Sequence, residues 1–225
     1  ALGADLPPSA TLQSYFTPED SPAAAIIAAL AAARHQVRIQ AYRLESLLIA
    51  EAILAAHRRP GVSVHILVDL HEETSPDSEA RRLKLAGVPI HTDSAGAGVN
   101  HNKSLVIDGR HVLTGSYNYT DAAERKNHEN LVVITEGATA ARYLANHVRN
   151  TATASPYRYR HYALKLYPDS ITLRPGGSAQ ILASVESLEG FEETVSITTK
   201  LSPNALLTLW TAQPTVHGRR STTFL

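Results

Sequence analysis

Along the first two thirds of the chain, apolar residues recur in two rhythms. Short runs with alternating or continuous apolar character, Thr11 to Phe16, Val37 to Tyr42, Val62 to Asp69 and Val88 to His91, read as strands. Between them lie stretches of helical spacing opened by capping signals. Ser21-Pro22 starts an Ala-rich helix to about His35 with Ile26, Ile27 and Leu30 on one side, and Ser46 starts a second through His57 with Leu48, Ala52 and Ala55 in step. Pro60-Gly61 ends that helix; Ser75-Pro76 repeats the capping device for a third, to Leu85, which Gly87 closes.

Leu105-Val106-Ile107, then Asp108-Gly109-Arg110, then the run His111 to Thr114 predict a β-hairpin, reached through the flexible stretch Ser94 to Gly98. Beyond it Thr120 caps a short helix to about Lys126, a strand follows from Glu129 to Thr135, and a helix runs from Ala138 to about Asn150. Strands and helices alternating at these lengths predict an α/β sandwich with a mixed sheet. Ala1 to Ala10 reads as a loose leader.

From Thr151 the texture changes. Tyr157-Arg158-Tyr159-Arg160-His161-Tyr162 is a polar aromatic linker whose tyrosines either stack on nucleobases or pack the flanking domains together. Lys165 to Leu173 is extended, Arg174-Pro175-Gly176-Gly177 is a turn, and Ser178 to Val185 and Thr194 to Thr199 alternate as strands. The division is therefore a domain over 11–150, a linker over 151–163 and a small all-β module over 164–225.

Lys and Arg number 21, matched by 21 Asp and Glu, so net charge gives no bulk attraction to a polyanion or an anionic membrane. Residues 1–150 hold 14 basic against 16 acidic side chains, which counts against tight nonspecific nucleic-acid binding. With no Cys, disulfides and cysteine-based zinc sites are excluded. No apolar run approaches the ~20 residues needed to cross a bilayer. The chain starts at Ala1 and has no Met, and with its Ala-rich start and its β module this gives the expectation of a secreted or periplasmic protein.

The candidate chemistry lies around the hairpin. With Gly109-Arg110 as a two-residue loop, Lys103 sits opposite Ser116 and His101 opposite Asn118; with Asp108-Gly109 as the loop the same four share a face, whereas an intermediate register would split them. Imidazole, ammonium, hydroxyl and carboxamide together suit a phosphoryl group: Lys103, Ser116 and Asn118 bind the phosphate, and His101 attacks phosphorus or moves a proton. Glu129 is the carboxylate expected to hold the imidazole in its productive tautomer. This set needs no metal and no cofactor.

His101-x-Lys103 with Asp108 beyond it, Gly115-Ser116-x-Asn118, and Glu129-Asn130 before an apolar strand resemble the phospholipase D superfamily, and within it the small bacterial endonucleases that carry one such motif per chain. Tyr15 to Pro18, Ile39 to Tyr42 and Val64 to Asp69 extend the likeness over roughly residues 11–150. It implies a phospholipase D-like catalytic domain, with His101, Lys103, Asp108 and Glu129 as catalytic residues. It also implies metal-independent phosphodiester hydrolysis through a covalent phosphohistidine. Such a site needs two motifs and this chain supplies one, so the expectation is a homodimer with a shared site. The expected substrate is DNA or RNA. The alternatives are a phospholipid, although no stretch of sequence reads as a lipid-docking surface, and a binding or adhesion role for the β module on a non-catalytic scaffold. Residues 164–225 resemble the opening strands of bacterial immunoglobulin-like modules, but fall short of the about 100 residues of a full sandwich, as a truncated or reduced module would.

Several readings compete. Asp108 precedes Gly, a common turn arrangement, so shaping the hairpin competes with chemistry. Asp69, His71, Glu72, Glu73, His91 and Asp93 match no standard metal spacing and read as a solvated loop, while His65, His111 and His147 read as structural. His128 and the charged stretch Tyr42 to Ser46 depart from the family pattern, and Glu45 near a phosphate pocket would oppose an anion.

Overall fold

A computed structural model describes residues 10–93, 98–159, 162–168, 170–187, 194–196, 215–217 and 220–224. The leader, the stretch before the catalytic hairpin and much of the β module lie outside those residues. The chain divides into two units, Ala1–Arg158 and Tyr159–Leu225.

In the first unit the strands are β1 (Thr11–Phe16), β2 (Gln36–Ala41), β3 (Ser63–Asp69), β4 (Ile90–Asp93), β5 (Lys103–Ile107), β6 (His111–Gly115), β7 (Asn130–Thr135) and β8 (Ser155–Pro156). The helices are α1 (Pro22–Ala32), α2 (Leu47–His57), α3 (Ala80–Leu85), α4 (Asp121–Arg125) and α5 (Gly137–Ala152), with a 3-10 turn over Leu70–Glu73. The strands form one mixed sheet in the order β1-β7-β6-β5-β2-β3-β4-β8. β2, β3 and β4 run parallel and the other pairs antiparallel.

The capping signals act as their chemistry requires. Ser21, Ser46 and Thr120 accept from the backbone N–H groups of Ala24, Ile49 and Ala123, starting α1, α2 and α4. Ser75 caps nothing comparable. Glu79 N–H is drawn to the Leu44 carbonyl and Ser78 Oγ to the Glu72 carboxylate, so the chain turns through residues 75–79 and α3 begins only at Ala80. The fourth strand begins at Ile90, two residues later than the apolar run suggested.

One face of the sheet lies under α5, where Val106, Val112 and Ala140 pack with Ile134, Tyr143 and Leu144, and Gln40 donates to Asn146. Alternation leaves Val37, Ile39 and Ala41, all buried, to the opposite face under α1 and α2. Those two helices are tied end to end as Arg59 donates to the carbonyl of Ala33 at 2.6 Å. Ile26, Leu30, Ile49, Ile53, Ile66, Leu67 and Leu105 are buried almost completely and form the core.

The β5–β6 hairpin has the intermediate register. Ile107 pairs with His111 and Ser104 with Thr114, so Asp108-Gly109-Arg110 is a three-residue connection. Asp108 and Gly109 both take positive φ, 51° and 63°. Asp108 is the residue that tolerates this because its carboxylate is anchored elsewhere, as described below.

The first part of the expected linker, through Arg158, belongs to the first unit. β8 adds to the edge of β4, Tyr157 is buried with its hydroxyl donating to the Glu72 carbonyl, and Arg158 N–H donates to Glu73 Oε1. Tyr157 therefore packs against the catalytic unit and offers no face for base stacking. In the second unit, β10 (Leu182–Ser187) lies between β9 (Tyr162–Tyr167) and β13 (Arg220–Phe224), and β11 (Thr194–Ser196) pairs with β12 (Thr215–His217). The expected Arg174–Gly177 turn is present, with Gly176 at φ 77°. Much of what would make this an immunoglobulin-like module, residues 188–193 and 197–214, lies outside the described residues.

Candidate active site

The sheet register brings one end of the strands together. Ala41 pairs with Lys103 and Val68, Gly115 with Leu131, and Phe16 with Asn130. The C-terminal ends of β1, β2, β3 and β6 therefore meet the N-terminal ends of β5 and β7, where open α/β sheets carry their ligand sites.

Lys103 is buried there, and its Nζ donates to the His101 carbonyl at 2.9 Å and stands 5.0 Å from the centre of the Tyr42 ring. Burial lowers its pKa, and the charge of Glu129 opposes that fall. His101 is exposed, its ring centre 4.5 Å from that of Tyr42 at a tilt of 57°.

Ser116 is fully engaged. Its hydroxyl donates to Glu129 Oε2 at 2.6 Å and accepts from Asn130 N–H and Nδ2, at 3.1 and 3.2 Å. The other oxygen of Glu129 accepts from Asn127 Nδ2 at 3.0 Å, and its backbone is bonded in both directions to Thr17. The carboxylate thus orders Ser116 and lends charge to Lys103; no hydrogen bond joins it to the His101 ring, contrary to the tautomer-holding role expected of it. The register puts Ser116 beyond the paired face: β6 ends at Gly115, and the chain turns there so that the serine bonds Glu129 and Asn130. That turn requires glycine, since a Cβ on Gly115 would lie 2.2 Å from the Asn130 carbonyl oxygen.

Asn118 precedes Tyr119, whose backbone is bonded to Arg43, Glu45 and Ser46, so it lies along the segment flanking Tyr42. Its Oδ1 is buried without a partner, a carboxamide with capacity to spare. Asp108, by contrast, stands at the far tip of the hairpin. Its carboxylate accepts from Arg34, His35 and Gln36 N–H at 2.9, 2.8 and 2.8 Å. Burial alone would raise its pKa, but those backbone donors outweigh it and hold the carboxyl below its ordinary value. This is a structural role; nothing joins Asp108 to the catalytic end, and it is withdrawn from the catalytic set.

Two residues to which the sequence reading gave no role in the site join it: Tyr42, on which His101 and Lys103 converge, and Asn127, which donates to Glu129. Glu45 does not stand as a free anion beside the pocket, for Arg43 pairs with it at 3.1 Å and also donates to His71 Nε2 at 2.6 Å. Glu72 is completely buried, accepts from Ser78 Oγ and Leu44 N–H, and has its pKa pushed up to about 7, chiefly by burial. Asp69 accepts from the N–H groups of His71 and Asn100. Among the described residues no three His, Asp or Glu side chains converge as cation ligands. His128 is exposed beside Glu129.

The family model described as "Cardiolipin synthase, PLD-like domain" matches residues 26–150. A protein named phospholipase D from Rickettsia conorii is 33% identical over 142 residues, covering 63% of this chain and 70% of the relative. The mitochondrial cardiolipin hydrolase of Xenopus laevis is 30% identical over 146 residues, covering 65% and 69%. The crystal structure of Nuc, a phospholipase D family member from Salmonella typhimurium, superposes with a TM-score of 0.62 at 33% identity over 66% of this chain and 99% of Nuc. With the family model matched over residues 26–150 and the fold shared with Nuc, this chain is a phosphodiesterase of the phospholipase D superfamily.

Proposed function

We propose that the chain hydrolyses phosphodiester bonds in DNA or RNA at a site shared by two copies. In the first step a nitrogen of His101 attacks phosphorus, the P–N bond forms as the P–O bond to the leaving group breaks, and His101 of the partner subunit gives its proton to the departing oxygen. In the second step that imidazole takes a proton from water. The resulting hydroxide displaces His101, and the phosphomonoester leaves. Lys103 Nζ and Asn118 Nδ2 contribute donors to the phosphoryl oxygens, while Ser116, whose one hydroxyl proton goes to Glu129, orders the Glu129–Asn130 edge of the site. The observation that carries this reading is the exposed imidazole of His101 beside a desolvated ammonium, occurring once per chain. The likeness to the single-motif endonucleases of the superfamily supports the choice of nucleic acid.

A phospholipid is the second reading, favoured by a specific observation. Phe16, Leu47, Leu48, Leu70 and Val99 are exposed, and all belong to segments at the catalytic end of the sheet. Exposed apolar side chains in these segments were not apparent from the linear sequence. Plasmid, single-stranded DNA, RNA and phosphatidylcholine vesicles, each incubated in excess chelator beside His101→Ala, separate the two. Nuclease action expects His101-dependent cleavage of a polynucleotide; cleavage of the vesicles alone would replace it with the lipid reading, and loss of all activity in chelator would end the metal-free mechanism.

A further inference from the structure

Three side chains converge on one ring. The His101 imidazole lies 4.5 Å from the centre of Tyr42, the Lys103 ammonium 5.0 Å and the Arg43 guanidinium carbon 5.6 Å. Tyr42 ends the segment of β2 whose last residue, Ala41, is paired with Lys103, so the strand register itself delivers the ring to the pair. Its hydroxyl makes no hydrogen bond among the described residues, and what it offers is its face.

We infer that Tyr42 is a positioning residue for the phosphodiester reaction, its aromatic face fixing the His101 imidazole and holding the Lys103 ammonium at the height of the scissile phosphate. The inference rests on the hydrolase reading above. The His101 ring has no hydrogen-bond partner among the described residues, so packing against Tyr42 is what limits its rotation. A nucleophile that can turn freely spends little of its time with a nitrogen lone pair aimed at phosphorus. Lys103 has three N–H donors. The His101 carbonyl takes one, and the electron-rich face of the ring attracts the charge, keeping a buried ammonium in place with a donor left for a phosphoryl oxygen. Arg43, 5.6 Å from the centre of the same ring, is bonded to Glu45 and His71.

If the face matters and the hydroxyl does not, phenylalanine replaces tyrosine and leucine cannot. Bis(p-nitrophenyl) phosphate tests this without committing to a polymer or a lipid. Tyr42→Phe retains kcat within about twofold, whereas Tyr42→Leu lowers kcat by about 10- to 100-fold with a much smaller change in KM, because Lys103 remains to bind the phosphate. Single turnovers of Tyr42→Leu quenched in alkaline denaturant, where the P–N bond survives, show slower accumulation of phosphohistidine. Circular dichroism and thermal melting establish that each variant is folded, and Tyr42→Met replaces the leucine variant if that one is not. A leucine or methionine variant that keeps wild-type kcat, or a phenylalanine variant as impaired as leucine, overturns the inference alone. A folded wild type that cleaves no phosphodiester overturns the hydrolase reading, and this inference with it.

Discussion

The two ends of the β5–β6 hairpin carry polar groups of similar kinds in opposite states. At the tip, the Asp108 carboxylate is saturated by the backbone donors of Arg34, His35 and Gln36, 72 to 74 residues away, and it ties the α1–β2 connection to the turn. At the other end, His101 has no hydrogen-bonded partner for its ring among the described residues, and Asn118 keeps a buried oxygen unpaired. Lys103 is desolvated. The Asp108 carboxylate, with its bonds made to the backbone, is scaffolding, whereas the exposed His101 ring, without a protein hydrogen bond, is open to a ligand. The hairpin uses the first condition to secure the second.

Breaking each end distinguishes them. His101→Ala should lower kcat on any cleaved phosphodiester by more than about 1000-fold while leaving the melting temperature nearly unchanged, since an exposed side chain is lost. A large loss of stability with intact kcat would reverse the assignment of this end. Asp108→Ala should do the opposite, costing about 2–3 kcal/mol in urea denaturation as its backbone donors lose their acceptor, with kcat preserved at temperatures where the variant is folded. A catalytic defect in a stable Asp108→Ala protein would return that residue to the site.

A third polar cluster, the histidines behind the sheet, sharpens the contrast at smaller amplitude. His65 bonds to His147 at 2.8 Å and to His91 at 2.9 Å. Burial first, then the charges of the neighbouring histidines and of Arg38, lowers the pKa of His65 and of His147 from 6.5 to about 4. The unfolded chain therefore binds protons before the folded one does. Stability from this cluster is complete above pH about 6.5, declines as the pH falls toward about 4, and is level below, a loss on the order of 2 kcal/mol once the partial exposure of His65 is allowed for. His147→Leu should flatten that decline in urea titrations between pH 6.5 and 4; an unchanged slope would mean that the cluster takes no part.

Much of this was legible in the sequence because it is local. Ser21-Pro22, Ser46 and Thr120 are caps that act within three residues, and the helices they open are where they were expected. The motif residues His101, Lys103 and Ser116 could likewise be named, because their spacing is itself the signal. What was missed depends on contacts distant in sequence. The three-residue turn exists because a carboxylate in αL geometry is held from another segment, so the register could not be read from the Asp-Gly pair. The delayed start of α3 reflects bonds from Glu79 and Ser78 to Leu44 and Glu72. Glu129 was found for the right neighbourhood and the wrong partner, since only the β6–β7 register turns it onto Ser116. Tyr42 was read as the end of a strand and the start of a charged stretch that departs from the family pattern; its contact with His101 and Lys103 follows from the β2–β5 pairing, which the sequence does not show.

The central claim, that two copies of His101 serve one scissile phosphate, is tested most directly by subunit mixing. Wild-type and His101→Ala chains are unfolded together, refolded in known ratios and assayed at fixed total protein. If both imidazoles are needed, activity follows the square of the wild-type fraction. Activity that falls in simple proportion to that fraction would mean that each chain works alone, and would contradict the account.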